Sequence, residues 1–423
     1  MKTCLAVFLT LVSLRAAGPD TILLRGATVH PVSGPEIADG AVLVRDGKIA
    51  EVGARIAVPK GARVIELKGL HLYPGMIDSA TEIGLSEIGA VREMNDVADI
   101  GLFKPQLRAA TAVNPASEHI AVTRANGITA VITSPGGGIV AGQSVLMHLS
   151  GWTMKDMAIR APAAMRVEFP HIQTPNRFAE AAGRPSAYAE AKKRYEQQLR
   201  ELNDFMESAE RYRQAKAAAS AGLETDLKME AMIPVLDGKV PMLIRAEKEK
   251  AIKEAIAFAD KYKVHMILEQ GAEAWKVAGE LKAHNIPVVL PPTLRLPDDE
   301  DDPYDKPFSI PGELSKAGVK IAFATYGPGA GGNPRNLPYE AAAAVGFGLP
   351  YEEALKAVTL YPAEIWGVGD ELGSIEKGKW ADLIVTDGDP LETRTQIKQM
   401  FIKGAPVDLD NKHLRLYEKY MAR

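Results

Sequence analysis

From Thr21 to Leu72 apolar and polar positions alternate with period two, the pattern of strands with one buried face. The stretch "GAVLVRDGKIAEVG" predicts a hairpin, with Asp46-Gly47 supplying the positive φ of a tight turn. Strand signals return near the C-terminus in "GSIEKGKWADLIVTDG" and "IKQMFIKGAPVDL". Between these regions strand-like and helix-like runs alternate. Strand-like runs end at Ala80, Pro135, Ala246, Gln270, Pro292 and Tyr326, and helical patterns cover Glu247–Tyr262, Glu273–His284 and Tyr351–Leu360. Repeated strand–helix units over most of the chain predict an α/β fold, a (β/α)8 TIM-like barrel, whose chemistry would sit at the C-terminal strand ends. The flanking strands predict a small β-sandwich formed jointly by the N- and C-terminal segments. In residue ranges, the sandwich takes 19–72 plus 370–408, the barrel 73–369, and a C-terminal helix 409–423. No GxGxxG follows the early strands, which argues against an open dinucleotide-binding sheet.

Two segments interrupt the barrel pattern. A helical insertion near 180–225 contains a charged amphipathic helix, Tyr188 to Tyr212, whose apolar stripe (Tyr188, Tyr195, Leu199, Leu202, Phe205/Met206, Ala209 and Tyr212) is expected to pack on the barrel. The acidic run Asp298 to Asp302, flanked by Pro297 and Pro303, is expected to be a solvated loop and not a Ca²⁺ site. Residues 1–18 place Lys2 before an apolar run from Cys4 to about Leu14, then small residues. That is the layout of a secretory signal peptide, too short to span a bilayer. The expected location is therefore periplasmic or secreted, with no membrane contact after cleavage. Cys4 is the single cysteine, and its loss on cleavage suits an oxidising compartment.

Composition narrows the function classes. The 423 residues are 46% hydrophobic and 25% charged, with a net charge of −4. This is ordinary globular composition that gives no footing for a nucleic-acid partner. There are only 8 His, and no two are closer in sequence than His265 and His284, so HxH, HExxH and CxxC metal motifs are absent. His30 and His71 belong to the sandwich or its exit, His265 begins a strand at the barrel bottom, and His413 lies in the C-terminal helix. His119 and His148 flank the early barrel units. His171, in "EFPHIQTPN", is the one His placed in a loop able to cover the mouth. Gly136 to Gly138 read as a tight turn, since no Lys-Ser/Thr follows as in a phosphate-binding loop.

Three stretches together resemble the amidohydrolase superfamily, and within it the imidazolonepropionase-like proteins. "GLHLYPGMIDSATEIG" (Gly69 to Gly84) resembles the opening barrel strand, "SPGGGIVAGQS" (Ser134 to Ser144) a glycine-rich turn of one subgroup, and "LPYEEALKAVTLYPAEIWGVGDELGSIEKGKWADLIVTDGDPLE" (Leu349 to Glu392) the closing helices and return to the sandwich. The resemblance implies hydrolysis of non-peptide C–N bonds by Zn or another divalent metal, held by His and carboxylates at strand ends.

At the positions that match that pattern, this chain differs. Ala80-Thr81-Glu82 stands where the HxH would be, Arg245 and Gln270 where ligand His would be, and Tyr326 where the eighth-strand Asp would be. The carboxylated Lys of some members has no identified counterpart. Arginine cannot deprotonate to become a ligand, and Gln and Tyr are poor substitutes for His and Asp. The resemblance with these changes implies no bound metal and no conventional catalytic set. Glu82, Arg245, Gln270 and Tyr326 are the candidate substrate-binding residues, with Glu82 and Arg245 expected to pair so that the guanidinium takes over the missing metal's charge. Two functional readings follow. One is a non-catalytic or weakly active exported homologue that binds a small molecule or an intact amidohydrolase paralogue, or pairs with itself. The other is an active hydrolase of non-peptide C–N bonds with a non-standard site.

Overall fold

The computed structural model of the protein describes residues 21–172, 187–219, 222–297, 301–326 and 333–423. The expected signal segment 1–18 and residues Asp298–Glu300 of the acidic run lie outside them. The N-terminal strands are β1 (Ile22–Val29), β2 (Ile37–Arg45), β3 (Lys48–Gly53), β4 (Arg63–Glu66) and β5 (His71–Pro74). Next come β6 (Met76–Thr81), β7 (Ile128–Thr133), β8 (Val140–His148), β9 (Ala158–Glu168), β10 (Met242–Ala246), β11 (Met266–Gln270), β12 (Val288–Val289) and β13 (Ile321–Ala322). The C-terminal strands are β14 (Leu383–Thr386), β15 (Ile397–Ile402) and β16 (Ala405–Pro406).

One sheet joins the two ends of the chain in the order β16-β15-β14-β5-β1-β2-β3, with β4 beside β1. Its alternating residues Leu24, Val42, Val44, Leu72, Leu383 and Phe401 share one apolar cluster, which is why the period-two pattern appeared at both ends. The β2–β3 hairpin turns on Asp46 and Gly47, both at positive φ (52° and 77°). A Cβ on Gly47 would also lie 2.7 Å from the Lys403 carbonyl oxygen, so only glycine fits there.

β6 to β13 form the second sheet in chain order. The amide of Ser79 on β6 donates to the Phe323 carbonyl just after β13, at 3.3 Å, and brings the two edges together. This is the expected α/β barrel with its sandwich, with one local departure: β8 runs antiparallel to both neighbours, while the other adjacent pairs are parallel. β8 and β9 were not legible as separate strands. "AIRAPAAMRVE" carries four Ala and a Pro, and "VAGQSVLMH" is interrupted by Ala-Gly-Gln-Ser, residues with weak strand preference. Tertiary burial decides them, and all nine residues of β8 are buried.

Inside the barrel Ile77, Ala130, Leu146, Ala164, Leu243, Ile267, Val289 and Ala324 pack with Trp366. Side chains on a strand repeat with period two. One step beyond Ala164, Leu243 and Ile267 therefore come Arg166, Arg245 and Glu269, at the C-terminal ends of β9, β10 and β11. The helix Ala187–Ala217 buries Tyr195, Leu202, Met206 and Ala209 and stacks Phe205 on Phe103 with ring centres 4.8 Å apart. That part of the stripe is spent on the barrel, whereas Tyr188, also expected in it, is 58% exposed because it lies at the helix start. His148 is structural: its Nε2 meets the Asp382 carboxylate at 2.7 Å with both groups buried, tying the last residue of β8 to the segment entering β14. The C-terminal helix Lys412–Met421 is capped by the Asn411 side chain, which accepts from the His413 and Leu414 amides.

Candidate functional site

The barrel mouth holds two arginines in different surroundings. Arg166 is 5% exposed and Glu269 fully buried, and Arg166 Nε donates to Glu269 Oε2 at 2.9 Å. Arg166 Nη1 donates to the Pro135 carbonyl at 3.0 Å, which pins the glycine turn Gly136–Gly138 over the pair. The guanidinium also lies over the Tyr326 ring, 5.3 Å from its centre, within cation–π range. Glu82 completes this cluster, near enough to the Tyr326 side chain and Arg166 for both to favour its charged form. Burial nevertheless raises the Glu82 carboxyl above its ordinary range, against the lowering effects of Tyr326 and Arg166. Burial likewise raises the Tyr326 hydroxyl, and the nearby Arg166 opposes the shift. For Arg166, desolvation works against the cation, but the charge and hydrogen bond of Glu269 outweigh it, so its pKa rises.

Arg245 stands on the neighbouring strand with its side chain 20% exposed. Its Nη2 donates to Glu247 Oε1 at 2.7 Å, and its Nη1 faces Glu168 Oε1 at 3.6 Å. Backbone register explains the grouping: Arg245 pairs with Glu168 on β9 and with Glu269 on β11, so three charged residues share one row across three strands. A cleft of about 410 Å³ opens over Arg245, lined also by Glu168, His171, Glu247 and Lys248. A second cleft of about 240 Å³ lies between the barrel and the long helix, lined by Glu168, Phe169, His171, Arg194, Tyr195 and Gln198. His171 therefore does reach the mouth, where its Nδ1 sits 3.3 Å from the Phe169 carbonyl.

The four candidate residues divide. Glu82 and Tyr326 come together, but the cation beside them is Arg166 and not Arg245. Glu82 and Arg245 share no hydrogen bond or ion pair; Arg245 is held by Glu247 and Glu168. The expected pairing is corrected on this point, because Arg166 comes from β9, the strand the pattern did not resolve. Gln270 is 2% exposed, and its Nε2 donates to the Tyr326 backbone carbonyl at 2.9 Å, tying two strand ends together. It sits at φ 75°, where the chain leaves β11. Glu168, Arg166 and Glu269 were missed altogether. The available signal was the echo between "MRVE" at Met165–Glu168 and "IRAE" at Ile244–Glu247, each carrying Arg and Glu at period two.

Lower in the barrel, Asp78 of β6 is fully buried. It accepts from Thr325 Oγ1 at 2.6 Å and from the Ala80 and Thr325 amides at 3.2 and 3.3 Å. Burial still dominates and pushes its carboxyl up to about 7. Lys104 is 3% exposed and donates to the Asp99 and Gly136 carbonyls at 2.8 and 3.3 Å, a second cation holding the glycine turn.

This donor set does not suit a divalent metal. Among the described residues no group of three His, Cys, Asp or Glu is arranged to hold one. The carboxylates at the mouth face guanidinium groups, which would repel a second cation at the same place.

The model of the amidohydrolase family matches residues 106–408. The crystal structure of an amidohydrolase from Thermotoga maritima MSB8 is similar to 92% of this chain and 99% of its own, at 30% identity with a TM-score of 0.79. The imidazolonepropionase of Caldanaerobacter subterraneus subsp. tengcongensis is 22% identical over 384 residues, covering 84% of this chain and 86% of that protein. The amidohydrolase tasK of Hapsidospora irregularis is 24% identical over 420 residues, 89% of this chain, and the chain spans 41% of its length. Barrel, composite sandwich and these matches agree: the chain belongs to the amidohydrolase family.

Proposed function

We propose that the barrel mouth binds a small molecule carrying a carboxylate, received by Arg245, on a family scaffold that supports hydrolysis of non-peptide C–N bonds. In this reading the ion-paired Arg166 takes the place of a hydrolytic metal. The observation that carries it is the buried Arg166–Glu269 pair at 2.9 Å. A permanent, desolvated cation already pairs with Glu269 through Oε2, leaving Oε1 without a hydrogen bond among the described residues, and removing it would leave Glu269 charged and unpaired in a dry cavity. Arg245 is the exposed counterpart. Its planar fork matches a carboxylate, and it faces a cleft able to hold a small ligand.

The second reading, hydrolysis with a non-standard site, draws on Glu82. Its carboxyl is raised by burial against the opposing influence of Tyr326 and Arg166, the setting of a general acid or base. Metal analysis of the purified full chain together with assays for C–N hydrolysis separates the two. Substoichiometric Zn, Mn and Fe after growth in metal-rich medium, with unchanged thermal stability in chelator, is the expected result. One metal per chain with chelator-sensitive hydrolysis would overturn the reading.

A further inference from the structure

We infer that the ligand of the Arg245 cleft is a zwitterion, its carboxylate on Arg245 and a cationic nitrogen on Glu168. This deepens the carboxylate-binding reading and rests on it. Arg245 is not a bare cation waiting for an anion. Glu247 holds one Nη at 2.7 Å, while Glu168 stands off the other at 3.6 Å, beyond a good hydrogen bond. Nearby Lys248 is engaged by Glu273 at 3.5 Å. A simple carboxylate entering at Nη1 would bring a third negative group around one guanidinium, with Glu168 directly alongside. A ligand that also carries an ammonium removes that repulsion, because Glu168 then gains a partner as Arg245 changes one.

Glu168 is placed for this. Its side chain is 37% exposed, and it lines both clefts, the first with Arg245 and the second with Arg194, while Arg166 also feels its charge. A group bound to Glu168 therefore sits at the junction, and the rest of a larger ligand can extend along Phe169, Tyr195 and Gln198 into the second cleft. A purely cationic ligand would use Glu168 but leave Arg245 as it is; a purely anionic one would use Arg245 against Glu168. Only opposite charges on one molecule use both.

The test is ligand-observed NMR titration of the full chain with ω-amino carboxylates from glycine to 6-aminohexanoate, each beside the matching plain carboxylate and plain amine at fixed ionic strength. The expected result is that at least one amino carboxylate binds tenfold or more tightly than both of its single-charge counterparts. Glu168→Gln should abolish that tenfold gain while plain carboxylate binding is kept or improved, and Arg245→Gln should abolish carboxylate binding. If a plain carboxylate binds as well as every amino carboxylate, and Arg245→Gln removes it, the zwitterion is wrong and the site stands. If plain amines bind as tightly as the amino carboxylates, the zwitterion is likewise wrong. If no carboxylate of the series binds, or Arg245→Gln changes nothing, the site reading itself falls.

Discussion

Arg166 and Arg245 sit on adjacent strands of one barrel, at the same end, each within reach of carboxylates, yet they are set up for opposite tasks. Arg166 is sealed under the glycine turn, its Nε donating to Glu269 Oε2, its Nη1 to the Pro135 carbonyl, and the Tyr326 ring lies against its face. Arg245 shares its row with Glu168 and Glu269 but keeps a fifth of its side chain in solvent and opens onto a cleft. Burial makes the difference. A desolvated charge is tolerable only when a counter-charge stays beside it, which fixes Arg166 as architecture even though Glu269 Oε1 makes no hydrogen bond among the described residues, whereas a partly hydrated charge can exchange partners at modest cost. Two arginines in similar strand contexts can thus be read only after the depth of each is known.

The sharpest way to break this comparison is to delete the buried cation. Arg166→Ala should destabilise the protein by about 3–5 kcal/mol, because Glu269 stays buried and unpaired. The double change Arg166→Met with Glu269→Leu should recover most of that loss. Urea unfolding at fixed pH measures both, and a cost for Arg166→Ala below about 1 kcal/mol would put Arg166 in the same class as exposed ion pairs.

Asp78 contrasts with Arg166 as a buried carboxyl with no ion-pair partner among the described residues. Its folded-state carboxyl titrates at about 7, above the unfolded value near 3.9. Between those pH values the unfolded chain releases a proton that the folded chain keeps, so stability falls as pH rises from about 4 to about 7 and levels off above that. Asp78→Asn should flatten this decline and gain up to about 3–4 kcal/mol over the parent at neutral pH. Melting temperature against pH reads it, and an unchanged slope would remove Asp78 as its source.

The smallest effect concerns the strand-end tie between the two arginine regions. Gln270→Ala loses the bond to the Tyr326 carbonyl and keeps the positive φ, costing about 1 kcal/mol. Gln270→Gly loses the same bond but relieves the backbone, so it should lie within about 0.5 kcal/mol of the parent. Equal costs for the two would show that the φ of 75° carries no strain.

Much of the fold was legible because its signals are local. The period-two strands at both ends, the Asp46-Gly47 turn and the apolar stripe of the long helix depend on near neighbours in sequence. β8 and β9 were not legible, since small residues and a proline give weak local preference and their strand character comes from burial between β7 and β10. That omission hid Arg166 and Glu168, and the mouth was assigned the wrong cation beside Glu82. Gln270 was visible as a substituted position, but its inward tie to the Tyr326 backbone was not, because that contact joins residues 56 apart.

The sequence by itself determined the barrel with its composite sandwich, and it named Glu82, Arg245, Gln270 and Tyr326 as residues at strand ends. Only the tertiary structure decided which arginine meets which carboxylate. Strand register and depth set those pairings, and both arise from how the sheet closes and what covers it, quantities that no local stretch of sequence encodes.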